Sequence, residues 1–467
     1  MDSTLTPSPT SQVIPDNTLV RRGLKLYQHQ EENVTFGLEN GSFANLDQMG
    51  LGKSLSTLSL LYKVYKAFAS LSVLIICPKT IIESAWVADC EKWYPDMKII
   101  PVMGTKQEKI NALQQESVIY VTNYETMNQG FDFSKSGFDF LVCDEAVKLK
   151  NPRAKWTKAI TLLGKHIPYR IILSGLITPN NLQEIYAPFN FIESGIFGKS
   201  FYSFRSQYFT PDPFSYQNRE WIPKKNAEKK ITDKIAHLVI RHTKEQCLDL
   251  PEKIHTVRKT EMTPKQTKHY KTMKRNAVLM LKDETVTALT KATLIQKLAQ
   301  ISSGFIYDGK KNTHVFEGSG KLNELMSILE GELAGEQVLI FTNFKAESAL
   351  FMSEFPNDSF IYGGQNSTEQ DKMIKRFKDG SSQYMFASVA AAKYGLTFTN
   401  CSNVIYYSLN YSLDDFAQSQ DRIHRIGQSK TCNYIYLLNK GTVDNQIYRA
   451  VMNKKKLNDL IIELIEG

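Results

Sequence analysis

Long apolar runs are missing from this chain: none of its 467 residues falls in an apolar stretch of about 18 or more, which argues against a membrane-spanning helix. Cysteine is sparse and shows no C-x-x-C spacing. Cys77, Cys90, Cys143, Cys247, Cys401 and Cys432 are scattered, several of them inside apolar runs such as Val73 to Cys77. That pattern speaks against a disulfide framework or a zinc ribbon and reads as buried thiols in a reducing compartment. Residues 1–18, rich in Ser, Thr and Pro, lack both a basic leader and an apolar segment, so a disordered tail is expected there and no signal peptide. Tandem repeats are absent as well. The net charge of +9 favours a polyanionic partner.

What is present is two sets of short runs rich in β-branched and aromatic residues. The first is Phe43 to Leu46, Val73 to Cys77, Val118 to Thr122, Phe138 to Cys143 and Arg170 to Leu173. The second is Val338 to Phe341, Ser359 to Tyr362, Tyr384 to Ser388, Asn403 to Tyr407 and Asn433 to Leu438. Continuous apolar runs of this kind suit parallel strands covered on both faces by helices. The expected fold class is α/β: two doubly wound parallel-sheet lobes over residues 19–181 and 321–445. A helical insertion and linker is expected over 182–320, where Lys265 to Leu281 and Thr290 to Ile301 have helical period, and a C-terminal helix over 446–467.

Three segments carry chemistry. Phe43 to Leu46 leads into Asp47-Gln48-Met49-Gly50-Leu51-Gly52-Lys53-Ser54, and Leu55 to Phe68 then reads as a helix. Strand, glycine loop and helix in that order form a phosphate cradle: backbone N–H groups hold phosphates, Lys53 reaches the outer ones and Ser54 binds magnesium. Phe138 to Cys143 ends in Asp144 and Glu145, an acid able to hold magnesium and a second able to polarise water. Finally, Gln418 to Gln428 contains Arg422 and Arg425, which a helix would point the same way as a phosphate clamp.

With these motifs in place the chain resembles a Swi/Snf-like, superfamily-two helicase-type motor from about Gly23 to Lys456. Leu26-Tyr27-Gln28 resembles the upstream glutamine motif, which implies that Gln28 reads adenine. Asp47 at the first position of the phosphate loop is normal in this group. Cys77-Pro78-Lys79-Thr80 with Trp86 resembles motif Ia, and Val121-Thr122-Asn123-Tyr124-Glu125 resembles motif Ib. Arg241 to Glu245 followed by Leu250 to Lys253 is similar to a segment characteristic of the group. Gly320-Lys321-Leu322, Val338 to Phe344 and Gly395-Leu396-Thr397 continue through motifs IV and V. Val147 departs from the usual polar end of motif II, and Leu176 and Ile177 replace the Thr-Pro of motif III.

The resemblance implies two RecA-like lobes and a DNA-dependent ATPase with ATP and Mg2+ as its nucleotide and ion. Gln28, Met49, Gly50, Leu51, Gly52, Lys53, Ser54, Gly395, Arg422 and Arg425 would bind ATP, and Ser54 and Asp144 the magnesium. Lys53, Glu145, Arg422 and Arg425 would be catalytic. Pro78, Lys79, Thr80, Thr122, Asn123, Tyr124, Asn343, Ser388 and Thr397 would contact DNA, while Ser174, Thr178 and Gln418 would couple the two activities. Action on branched or forked duplex DNA in replication, recombination or repair is expected. Displacement of proteins from duplex DNA, or a catalytically weak DNA-binding scaffold, are the alternatives. The compact chain resembles bacterial or phage motors, acting as a monomer in the cytoplasm or nucleoid, with replication or recombination proteins as further partners.

Overall fold

Five of the apolar runs read from the sequence meet in one parallel sheet. The computed structural model describes residues 25–68, 70–131, 133, 137–175, 181–212, 221–282, 288–308, 312–390 and 397–453. In order, the strands of the first part are β1 (Phe43–Asn45), β2 (Val73–Cys77), β3 (Ile99–Pro101), β4 (Ile119–Asn123), β5 (Phe140–Asp144), β6 (Tyr169–Leu173), β7 (Phe209–Pro211), β8 (Trp221–Pro223) and β9 (Val239–Ile240). Seven of them form a sheet in the order β3-β4-β2-β5-β6-β1-β9, with every pairing parallel, while β7 and β8 make a separate antiparallel hairpin. β2 and β5 are buried along their whole length, as strands covered on both faces must be. Glycine is required at Gly41 (φ +68), which closes the helix Gln28–Asn40: a Cβ there would lie 2.6 Å from the Tyr169 ring.

The second part contains β10 (Lys253–Thr260), β11 (Phe305–Tyr307), β12 (Thr313–Val315), β13 (Val338–Thr342), β14 (Ser359–Ile361), β15 (Tyr384–Ser388), β16 (Asn403–Tyr406) and β17 (Cys432–Asn439). Its sheet runs β10-β17-β16-β13-β15-β14, again wholly parallel, and β11 pairs antiparallel with β12. β10 lies at the edge and is paired over all its residues, from Lys253 opposite Cys432 to Thr260 opposite Asn439. Tyr406 stacks on Tyr436 with ring centroids 5.0 Å apart and on Phe341 at 5.2 Å, so aromatic faces fill one side of this core. Below it, the fully buried Lys321 forms an ion pair of 2.7 Å with Asp444.

The chain divides into two compact units at Asp249 and Leu250. The expected insertion at 182–320 is therefore shared. Its first half, including the hairpin and β9, belongs to the first unit; β10 and the helices Pro264–Lys282 and Ala288–Ser302 belong to the second. Each sheet also has more strands than expected, since β3, β9 and β10 join it. β10 escaped the apolar reading because Lys-Ile-His-Thr-Val-Arg-Lys-Thr carries charge, which an edge strand tolerates. The C-terminal helix starts earlier than expected, at Val443, and runs to Met452. Residues 1–18 and 454–467 lie outside the described residues. All six cysteines are free thiols, five of them buried, and no helix among the described residues is long and apolar enough to cross a membrane.

Candidate nucleotide site

The loop between β1 and the helix Lys53–Phe68 needs two left-handed residues, and Gly50 (φ +85) and Gly52 (φ +77) supply them. This shape turns Lys53 back into the loop, where its ammonium donates to the carbonyls of Asp47 at 2.7 Å and Gln48 at 3.3 Å. Ser54 follows it half-buried on the first turn of the helix. Met49 and Leu51 flank the glycines, and a Cβ on Gly175 would come within 2.8 Å of Met49. Ser174, just before it, is buried and donates its backbone N–H to the Asn45 carbonyl at 3.1 Å. The segments resembling motifs I and III are thus in direct contact. Thr178, Leu176 and Ile177 fall outside the described residues.

Asp47 is fully buried and is the anchor of the loop. Asn33 donates to its Oδ2 at 2.7 Å, and the backbone N–H and Nδ1 of His242 reach its Oδ1 at 2.7 and 2.8 Å. Gln48 accepts from the backbone of Lys244 at 2.9 Å. The Arg241 to Glu245 segment therefore braces the phosphate loop, a role its sequence did not announce.

Gln28 is not the glutamine at this loop. Its amide donates to Glu32 at 2.9 Å on the exposed face of the helix Gln28–Asn40. Two residues on, buried Gln30 donates to the Leu51 carbonyl at 3.2 Å and accepts from the Tyr27 backbone at 3.0 Å. His29 reaches the same Leu51 carbonyl at 2.9 Å. A Cβ on Gly52 would collide with the Gln30 amide. The signal available in the sequence was the third helical position, where Glu or Gln bends back onto the N-terminal N–H.

At the end of β5, Asp144 is buried and accepts from Trp86 Nε1 at 3.0 Å and from the Glu145 backbone at 2.8 Å. Burial pushes its carboxyl pKa up; the nearby charge of Lys53 and these two donors pull it back. Each of its oxygens keeps a lone pair. Glu145 is held in the left-handed region at φ 52, ψ 52, an unfavourable conformation for a residue with a side chain and one that concentrates at functional sites. Val147 is buried in the short helix that follows.

The segments expected to contact DNA are mixed. Lys79 and Thr80 are exposed beyond β2, and the charge of Lys79 adds to burial in lowering the pKa of Lys109. Pro78 is buried and Asn123 caps the turn Tyr124–Asn128 through its side chain. Thr122 and Tyr124 are interior: Thr122 donates to the Val102 carbonyl at 2.9 Å, and Tyr124 donates to the Asp144 carbonyl at 2.7 Å. Their side chains support the site and cannot reach an external strand.

In the second unit the helix Leu413–Gln420 stops before the arginines, so the helical clamp expected for Arg422 and Arg425 is replaced by a turn. Gly427, at φ +97, is incompatible with helix continuation. Arg422 is buried and its Nε donates to the carbonyl of buried Gln418 at 3.0 Å. Arg425 donates to the Thr397 hydroxyl at 2.6 Å, which joins an expected finger to an expected DNA contact. Asn343 and Ser388 are half-buried after β13 and at the end of β15. The backbone N–H of Asn343 donates to the buried Glu347 carboxylate at 2.8 Å. Gly395 lies outside the described residues.

The chain is similar to several known proteins. The chain is 26% identical over 466 residues to the mouse chromodomain-helicase-DNA-binding protein 1-like, covering 94% of this chain and 50% of that protein. It is 23% identical over 439 residues to putative protein p41 of Acyrthosiphon pisum secondary endosymbiont phage 1, covering 90% and 94%. To the putative ATP-dependent helicase/translocase YwqA of Bacillus subtilis it is 26% identical over 470 residues, covering 94% and 49%. The chain thus spans about half the length of the mouse and Bacillus relatives. The solved SWI2/SNF2 ATPase core of Sulfolobus solfataricus in complex with dsDNA matches with TM-score 0.46 and 24% identity, covering 95% of this chain and 94% of that one. A helicase conserved C-terminal domain is matched over residues 320–427. The SNF2-related domain is matched over residues 27–303, more than half of the sequence, and the chain belongs to the SNF2-related family.

Proposed function

We propose that the protein is an ATP-driven DNA motor that remodels branched or forked duplex DNA. The observation that carries the ATP-driven part of this reading is the Lys53 ammonium seated on the Asp47 and Gln48 carbonyls near the buried Asp144 carboxylate; the branched substrate follows from the resemblance to compact bacterial and phage motors. A lysine held there meets the outer phosphates of a nucleotide whose other phosphates rest on the loop backbone. The hydroxyl of Ser54 and the free lone pairs of Asp144 are the hard oxygen ligands that suit Mg2+, which would neutralise phosphate charge when bound. Glu145, already held in a strained backbone, orients the attacking water, and Arg422 and Arg425 act as arginine fingers on the transferred phosphoryl group. Gln30 supports the loop from its buried position, while the adenine-reading role of the exposed Gln28 rests on the resemblance.

The rival reading is a motor that strips or slides proteins on linear duplex, which the chromodomain in the name of the mouse relative favours. One measurement separates them: ATPase rate against single-stranded, linear duplex, forked and four-way DNA and RNA, with strand displacement scored on the same substrates. Forked or four-way DNA should stimulate most and RNA least, and Lys53→Ala should abolish the stimulation. Equal stimulation by linear duplex would favour the rival. No stimulation by any DNA would remove the motor reading.

A further inference from the structure

The helix Phe201–Tyr208 buries Phe204 and Tyr208 in the first unit and turns Tyr202, 57% exposed, and Arg205 outward. Strand β8 brings Trp221 against them. The Arg205 guanidinium carbon lies 4.3 Å from the Trp221 ring centroid and 5.4 Å from that of Tyr202. Arg153 approaches Tyr202 as well, at 5.8 Å from the ring centroid, and its Nη2 donates to the phenol oxygen at 2.7 Å. Lys224, at the end of the hairpin, donates to the Ser206 carbonyl at 2.6 Å.

Ring contacts hold these arginines in place but do not use all of their charge or donors. Among the described residues neither Arg153 nor Arg205 is paired with a carboxylate, and the buried Nε of Arg205 has no hydrogen-bond partner. A buried donor left unsatisfied is unfavourable, and exposed Arg153 keeps an edge of guanidinium N–H groups beyond its bond to Tyr202. A phosphate diester matches that edge, being anionic and accepting at two oxygens.

The cluster is also tied to the nucleotide site. Arg153 follows Asn151, whose side chain accepts from its backbone at 2.9 Å, a few residues beyond Glu145. Gln183, a few residues beyond Ser174, donates to the Trp221 carbonyl at 3.4 Å. Lys150 and Glu184 join the two segments at 3.7 Å.

We propose that Arg153 and Arg205, held by Tyr202 and Trp221, form a further DNA contact that grips the phosphate backbone of duplex DNA. The proposal rests on the reading of the chain as a DNA motor. It extends the footprint on DNA from the loops after the strands to the hairpin of β7 and β8.

The test is the affinity of the full chain for a fluorescein-labelled linear duplex, measured by anisotropy over a series of salt concentrations. Wild type, Arg153→Gln, Arg205→Ala and the double variant are compared, with Lys440→Gln in the second unit as an equal change of charge and thermal unfolding as the fold control. Each arginine variant should weaken binding and reduce the slope of log affinity against log salt by about one, and the double variant by about two. Lys440→Gln should leave the slope as it is. If Arg205→Ala fails to fold, Arg153→Gln carries the test alone, since Arg153 is exposed. Wild-type affinity and slope in the arginine variants overturn this contact and leave the motor reading intact. A wild-type protein that binds no duplex and shows no DNA-stimulated hydrolysis overturns both.

Discussion

His242 and Asp47 are joined twice, because the backbone N–H and the imidazole Nδ1 of one residue reach the same carboxylate oxygen of the other, at 2.7 and 2.8 Å. The far ring nitrogen of His242 faces Glu32 at 2.8 Å, so one side chain links the phosphate loop to the helix Gln28–Asn40. His242→Ala removes the imidazole and leaves part of a fully buried carboxylate without its partner. The expected loss is roughly 2 kcal/mol of first-unit stability, together with weaker nucleotide binding. Urea unfolding and nucleotide titration read the two effects, and unchanged nucleotide affinity would show that Asp47 holds the loop without the histidine.

Gln30→Ala and Gln28→Ala form a paired prediction. Gln30 lies against Leu51 and Gly52 whereas Gln28 pairs with Glu32 at the surface. Losing a buried hydrogen bond of this kind should weaken ATP binding about ten-fold for Gln30→Ala, with little change for Gln28→Ala. The opposite ranking would support Gln28 as the adenine reader that the resemblance implies.

Arg425→Ala should bind nucleotide nearly normally and lose about a thousand-fold or more in hydrolysis, the scale of a lost arginine finger. Thr397→Val removes the 2.6 Å bond that orients Arg425 and should lower kcat by a smaller factor with KM unchanged. Should Arg425→Ala reduce only nucleotide affinity, Arg425 is a binding residue and not a finger.

Glu347 provides a pH prediction. Burial pushes its carboxyl pKa up, against the pull of the Ser408 hydroxyl and the Asn343 and Phe344 N–H groups. A folded value above the unfolded one means that the native state binds the proton more tightly. That stabilisation is present below the unfolded pKa and is lost as pH rises through the folded one. Glu347→Gln should therefore stabilise the second unit more at about pH 8 than at about pH 5, read as slower hydrogen exchange in β13. A larger gain at the lower pH would mean that the charged carboxylate is the form the backbone donors require.

The strand, glycine loop and helix around Lys53 were legible in the sequence because the pattern is local: two glycines, a lysine and a hydroxyl follow a strand and open a helix. The geometry around it was not. Choosing between Gln28 and Gln30 needs the helix start to the residue, since two positions along a helix turn a side chain by roughly 200°. Thr122 lies inside unannounced, because a strand buried on both faces gives no alternation to separate inside from outside, and Tyr124, in the turn that follows, is buried by packing the sequence does not show. The arginine pair had the spacing of a helix face, but the chain leaves the helix at Gln420 and turns through Gly427. Charge on β10 hid a strand that completes a sheet.

That edge strand governs the order in which the second unit is assembled. β10 is made ahead of the other strands of its sheet, yet among the described residues it pairs only with β17, the last of them in sequence. Lys321 likewise waits for Asp444 before its charge is neutralised. During synthesis the first unit is complete while the second still shows an unpaired strand and an uncompensated lysine, so the second unit closes only after its C-terminal strand emerges. A chain cut before Cys432 would thus keep every strand of the first sheet and leave β10 without the strand it pairs with.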